Sequence, residues 1–281
     1  MKKVVDSSAL RSPLLLTFLT AAPTNIAVVT ENLWVELFKG DGATNVERSL
    51  RTLADHPKRV VVLKSQAKIL KLRPRQAGLQ SRLVDQEQTE GFGRYCRALF
   101  SNRWSEDEAR RDRERKQQIA NRKYKRGLGS VESIREAIDL LKQRCSPEEL
   151  KALRRKELLP TEFWFRFSDY VFDTAEAFAR QQDWGPVTGE TLVYSYSFRY
   201  ALCGLARAVD WISEGGHVTA APETIMNDYT DMAYAAYATF FDGILTRDEK
   251  LKEIHAFANR LLNRVFLKAH EIAEKRPDRT N

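Results

Sequence analysis

Three short β-branched runs, each followed by a helix-forming stretch, constrain this chain more than any other feature. Lys3 to Val5 ends at Asp6, Ile26 to Thr30 runs into Glu31, and Arg59 to Leu63 closes the set. Ser12 with Pro13 behind it is a helix start, and Leu14, Leu15, Phe18 and Leu19 follow at helical spacing. Glu31 to Phe38 reads as a second helix stopped by Gly40, and Thr44 to Ala54 as a third. Runs such as Ile26-Ala27-Val28-Val29 are apolar on both faces, as strands covered by helices on both sides must be. Strand and helix in alternation predict a parallel α/β sheet with right-handed crossovers.

The pattern changes after this. From about Pro74 to Gly189 no strand pattern is present, and the stretch is helical and rich in Arg, Lys, Glu and Gln. Trp104-Ser105-Glu106-Asp107-Glu108 and Ser146-Pro147-Glu148-Glu149 are helix starts. Phe163, Phe167, Val171, Phe172, Ala175 and Phe178 form an aromatic stripe that reads as core packing. Asp183 opens a loop back to the first part. A helix over Tyr196 to Ser213, closed by Gly215-Gly216, precedes another over Pro222 to Phe240. A short strand, Gly243 to Thr246, leads to a terminal helix from Glu249 with a polar tail over Lys275 to Asn281.

The predicted fold class is α/β: a three-layer α/β/α arrangement around a small parallel sheet of four or five strands. Residues 1–74 and 192–281 form its discontinuous main domain, and residues 75–191 a large, helical, basic insertion.

Hydrophobic residues make up 43% of the 281, enough for a sizeable core. The three cysteines are far apart, with neither zinc spacing nor a disulfide framework, which predicts a reducing, cytoplasmic setting. Asp6 and Arg11 interrupt any apolar leader behind Met1-Lys2-Lys3, so no signal peptide is expected. The most apolar segment, Tyr194 to Ile212, carries Arg199, Arg207 and Asp210 and predicts a buried helix, with no membrane partner.

Carboxylates gather in the elements that bound the predicted sheet. Asp6 follows the first strand, Glu36 lies in the helix after the second, and Asp248 follows the last strand. Asp228 and Asp231, three apart, share one helix face at its start, where the helix dipole also favours acidic residues, while Asp242 precedes the last strand at its amino end. Ligands of parallel sheets bind at the carboxyl ends of strands. Several carboxylates meeting there would raise one another's pKa unless a cation joined them. Hard oxygen ligands suit Mg²⁺ or Mn²⁺.

Val4-Val5-Asp6-Ser7-Ser8, Val35-Glu36-Leu37, Asp231-Met-Ala-Tyr-Ala-Ala-Tyr-Ala and Ile244-Leu245-Thr246-Arg247-Asp248 resemble, in that order, the PIN-domain ribonucleases. The resemblance covers roughly residues 1–70 and 195–255. It implies a metal-dependent nuclease acting on RNA ahead of DNA, with Mg²⁺ or Mn²⁺ held by Asp6, Glu36, Asp231 and Asp248. Asp228 would join the catalytic set, because some PIN-like groups carry the same Asn-Asp-x-x-Asp form. Ser7, Ser8 and Thr246 would orient the carboxylates. A homodimer and an inhibitor or antitoxin protein are the partners such a family leaves open. The insertion is far longer than that of compact members, and no fifth strand pattern follows Asp248.

The formal charge of +8 sits almost wholly between Arg94 and Arg126, where 12 Lys or Arg face 5 Asp or Glu. Arg110, Arg111, Arg113, Arg115, Lys116, Arg122, Lys123, Lys125 and Arg126 are its densest part. Such a run is either a solvated helix laced with internal ion pairs or an arm that contacts phosphates. In the second case Tyr95, Trp104 or Tyr124 would stack on bases. Gly127-Leu128-Gly129 behind it reads as a hinge between helices. Ser8 stands where an aspartyl-phosphate phosphatase would need its second Asp, and neither dinucleotide nor P-loop glycine patterns occur. A nuclease is therefore the first expectation. A non-catalytic nucleic-acid-binding or toxin–antitoxin-like interaction protein is the second.

Overall fold

The structure, a computed structural model, describes residues 1–40, 45–100, 105–157, 159–182, 184–215 and 218–263. Thr44, Trp104, Asp183, Gly216 and the polar tail from Lys275, all named above, lie outside them. Among the described residues there are four strands, β1 (Lys2–Val5), β2 (Ile26–Val29), β3 (Val60–Val62) and β4 (Ile244–Leu245), in one all-parallel sheet of order β3-β2-β1-β4. Val4 sits opposite Val28 on one side and Ile244 on the other. The chain thus builds outward from β1 to β3, then returns to place β4 on the far side of β1. Between β1 and β4 the direction of winding reverses, which is where an open parallel sheet leaves a crevice at its carboxyl edge.

Each of the early helices starts as its sequence dictates. Helix α1 (Ser7–Leu10) is capped by Asp6, and α2 (Pro13–Ala21) by the Ser12 hydroxyl, with Pro at its first position. Helix α3 (Glu31–Phe38) is capped by Thr30 directly behind β2. After α4 (Val46–Asp55) and β3 comes the short α5 (Gln66–Leu70). Val84 then makes an isolated antiparallel bridge to Leu63. That bridge starts α6 (Gln86–Phe100), which packs on β3 although it falls in the stretch that the sequence marks as an insertion.

Five helices follow: α7 (Glu106–Leu128), α8 (Val131–Gln143), α9 (Pro147–Arg154), α10 (Thr161–Gln181) and the short α11 (Gly189–Leu192). Both expected starts are full capping boxes, Ser105 with Glu108 and Ser146 with Glu149. The α10 stripe is core, with Phe163, Phe167, Val171 and Ala175 buried. Helix α12 (Tyr196–Glu214) is the hub of this half, packing on α8, α9, α10, α13 (Pro222–Ala238) and α14 (Glu249–Leu261). It ends at Gly215, whose φ of 70° is the left-handed cap that glycine adopts without strain. The buried residues of the sheet and of the helical half form one continuous cluster. Among the described residues no helix is long and apolar enough to cross a membrane.

The Gly127-Leu128-Gly129 segment stands at a junction of helices, with α7 ending at Leu128 and α8 starting at Val131. Gly127 is inside the last turn of α7, and a Cβ there would overlap Sδ and Cε of Met226. This glycine lets α7 press against α13. At its other flank α7 packs along α3: Asn121 Oδ1 accepts from Gly40 N at 3.0 Å, Gln117 donates to the Gly40 carbonyl, and Lys123 pairs with Glu31. Helix α7 therefore braces α3 and α13, the helices that carry Glu36 and Asp231.

Candidate active site

The carboxyl ends of β1 and β4 are tied together by side chains. Asp6 is buried, and its Oδ2 accepts from Ser8 Oγ at 2.5 Å, Thr246 Oγ1 at 2.7 Å and Ser8 N at 3.3 Å. Thr246 Oγ1 accepts in turn from Asp248 N at 3.0 Å, and Ser8 Oγ from Arg247 N at 2.9 Å. Two hydroxyls thus donate to the first aspartate and accept from the backbone that leads to the last. Thr-x-Asp spacing makes this arrangement: the threonine ends the strand, and the aspartate two residues on caps α14 by accepting from Leu251 N at 3.1 Å. The Asp248 side chain is exposed.

Glu36 projects from α3 toward α13, where the Tyr234 hydroxyl donates to its Oε2 at 3.1 Å. Burial raises the Glu36 pKa, and the nearby Asp6 adds to the rise. Hydrogen bonds from Ser7 and Tyr234 and the Lys39 charge oppose it.

Asp231 has the most informative electrostatics. Burial, followed by the charges of Asp248, Glu36, Asp6 and Asp228, pushes its pKa up to about 8. Opposite charges close by would lower it. Burial is the larger cause, and the carboxylates that add to it come from the start of α14, from α3, from the end of β1 and from α13 itself. Asp228 and Asp231 fall in the second and third turns of α13, not at its start, so the attraction of a helix N-terminus for acidic residues does not account for them.

The structure gives Asp228 different partners. It is buried, its Oδ2 accepts from both Nε and Nη2 of Arg207 at 2.9 Å, and its Oδ1 accepts from Lys250 Nζ at 2.5 Å. Both oxygens are taken by cations, which sets Asp228 apart from Asp6, Glu36, Asp231 and Asp248. Asp242 lies at the opposite end of the sheet, where its Oδ2 accepts from Lys2 N at 2.7 Å. Among the described residues, no three His, Cys, Asp or Glu side chains converge closely enough to chelate one ion. Protein donors hold an oxygen of Asp6, Glu36 and Asp248 in this arrangement. The set is all hard oxygen, and without a cation its crowding favours the protonated form of Asp231, a cost that a divalent cation would remove.

The basic segment is one helix face and its flank. Arg111, Arg115, Arg122, Lys125 and Arg126 are exposed and recur at helical spacing on α7, over about 22 Å of helix. Arg110 is also exposed but pairs with Asp107 and Glu114, and Arg115 pairs with Asp112. The other basic residues turn inward. Lys116 sits 3.6 Å over the Tyr95 ring and pairs with Asp112; Lys123 pairs with Glu31; Arg113 Nε donates to the Ala109 carbonyl at 3.2 Å. Tyr95 is therefore occupied by a lysine on one ring face, and Lys39 lies 5.1 Å over Tyr124.

Tyr234, Lys250 and Arg207 also belong to this region, and sequence reasoning does not find them. Tyr234 lies one turn beyond Asp231 and Lys250 two residues beyond Asp248, signals that carry meaning only once the elements are assembled. No protein-family model, curated protein or solved structure matches this chain.

Proposed function

We propose that this protein is a divalent-metal-dependent nuclease of the PIN type, on a three-layer α/β/α frame, that hydrolyses phosphodiester bonds in RNA ahead of DNA. One observation carries the reading: Thr246 ties Asp6 to the backbone of Asp248 at the switch point of the sheet, and Asp231, its pKa raised first by burial and then by Asp248, Glu36 and Asp6, belongs to the same set. Natural folds keep few such clusters without a cation, because each added carboxylate costs the others their charge.

In this reading Asp6, Glu36, Asp231 and Asp248 would hold Mg²⁺ or Mn²⁺, which would supply an activated water and offset charge on the leaving oxygen. Ser8 and Thr246 orient Asp6, and Tyr234 orients Glu36. The exposed arginines and lysines of α7 take the phosphates on either side of the scissile bond. Three free cysteines support a reducing cytoplasm as the place of work.

The lack of a converging triad among the described residues favours a second reading, a non-catalytic nucleic-acid-binding or toxin–antitoxin-like protein. Cleavage of single-stranded RNA by purified protein with and without Mn²⁺ separates the two. The first reading expects metal-dependent cleavage, lost in Asp6→Asn and Asp248→Asn, with the circular dichroism unchanged. Equal activity in the variants overturns the first reading, and tight binding with no turnover in any metal establishes the second.

A further inference from the structure

A cavity of about 360 Å³ opens between α3, α6 and α7 at the carboxyl end of β3. It is large enough for a small ligand and lies on the same edge of the sheet as the acidic set. Its walls are aromatic, from Trp34 on α3 and from Phe92 and Tyr95 on α6; Gln88 and Ser65 supply polar edges. Lys116 and Lys123 line it from α7. Ile119, also from α7, lines it while 48% exposed, an apolar side chain left in solvent at the margin of an apolar cavity.

The helix geometry relates this cavity to the basic stripe. At about 100° per residue, Ile119 falls between the face that carries Lys116 and Lys123 and the face that carries Arg111, Arg115 and Arg122. The mouth of the cavity is therefore bordered by exposed positive charge. Arg122 has no acidic partner among the described residues. On the other side of α3, one helix diameter or about 10–12 Å away, Glu36 faces the acidic set. A ligand that satisfies both features has a flat apolar part for the cavity and an anionic part for the stripe.

We infer that the cavity takes one unstacked nucleobase of the strand whose phosphates lie along α7, so that the protein selects single-stranded nucleic acid. The inference rests on the phosphodiester reading of the acidic set. A base inside a duplex cannot enter such a cavity without being flipped out, whereas a single strand offers its bases freely.

Gly91 supplies a clean test. It lines the cavity, and a Cβ on it meets nothing closer than Arg94 Nη2 at 3.9 Å, so Gly91→Phe fills the space without a backbone clash. Binding of a fluorescent single-stranded oligonucleotide and of its duplex is measured in EDTA at fixed salt, which removes cleavage from the readout. Wild type is expected to prefer the single strand. Gly91→Phe should weaken single-strand binding by about tenfold or more, the scale of removing one stacked base, and leave duplex binding unchanged. Ile119→Gln, neutral and at an exposed position, should act in the same direction and serves if Gly91→Phe melts early. Adenosine 5′-monophosphate should compete with the oligonucleotide, and indole should not.

Single-strand affinity unchanged in both variants, or indole competing as well as the nucleotide, overturns the inference; the second outcome marks a pocket for an apolar ligand or partner side chain. The two readings fail separately. If Gly91→Phe weakens binding but no metal supports cleavage, the base pocket stands and the catalytic reading falls. If cleavage depends on Asp6 while both cavity variants bind normally, the reverse holds.

Discussion

Thr246 Oγ1 donates to Asp6 Oδ2 at 2.7 Å, joining residues 240 apart in sequence across the junction of β1 and β4. The same oxygen accepts from the backbone N–H of Asp248 at 3.0 Å. One hydroxyl therefore fixes Asp6 relative to Asp248. In Thr246→Val the shape is kept and the buried carboxylate loses a donor, which costs stability by about 1–3 kcal/mol. Loss of a positioning hydrogen bond of this kind should lower Mn²⁺ affinity or metal-dependent cleavage by about 10- to 100-fold. Urea melts and a cleavage assay on the same preparation measure the two effects.

Asp228 and Asp248 should respond to the same change in opposite ways. Asp228→Asn removes the negative partner of a buried Arg207 and should destabilise the fold by about 3–5 kcal/mol. Metal affinity, measured by Mn²⁺ titration at a temperature where the variant is folded, should hold. Asp248→Asn should leave the melting temperature near wild type, because asparagine caps α14 as well as aspartate does, and should lose metal binding. Loss of Mn²⁺ binding with normal stability in Asp228→Asn would return that residue to the ligand set.

Asp231 makes the stability of the metal-free protein depend on pH. Its folded pKa of about 8 lies above the ordinary aspartate value of 3.8. Between about pH 4 and pH 8 the folded chain keeps a proton that the unfolded chain has released, so stability falls as pH rises through that window. Glu36, also raised, acts in the same direction. Melting temperatures in EDTA should fall across the window, and Asp231→Asn should flatten the profile. Saturating Mn²⁺ should flatten it too, with proton release on binding, read as a dependence of the calorimetric heat on buffer ionisation enthalpy. A profile in wild type that is flat without metal contradicts the assignment.

The basic stripe should give sequence-independent affinity. Changing Arg111, Arg122 and Lys125 together to Gln should weaken single-strand binding at low salt. It should also reduce the slope of log affinity against log salt by about 0.7 for each phosphate that is no longer neutralised. Lys116→Gln should instead act on stability, because that ammonium lies over Tyr95 and pairs with Asp112 inside the α3–α6–α7 packing.

The parts that were legible in the sequence are those fixed by local chemistry. Ile26-Ala27-Val28-Val29 forms a strand because it is apolar on both faces, and Ser12, Ser105 and Ser146 start helices because their hydroxyls accept from the next turn. The Asp6 and Asp248 positions followed from strand ends. What was hidden depends on how helices meet. Arg207 reads as an interruption in an apolar segment, and only the packing of α12 on α13 and α14 brings it, with Lys250, onto Asp228. The basic run between Arg110 and Arg126 looks uniform in sequence. Packing against α3 and α6 divides it into an exposed stripe and the inward-facing Lys116 and Lys123. The junction of helices at Gly127-Leu128-Gly129 was legible, but the close approach of Gly127 to Met226 was not, because it depends on how α7 meets α13.

The proposed divalent-metal site joins Asp6, Glu36, Asp231 and Asp248 at the switch point of the sheet. Anomalous scattering at the manganese edge, from crystals soaked in Mn²⁺, locates any such ion. A site made by these residues gives a peak bounded by oxygens of Asp231 and of at least two of Asp6, Glu36 and Asp248, lost in crystals of Asp231→Asn. No peak among these four at saturating Mn²⁺, or a peak elsewhere that survives the substitution, contradicts it.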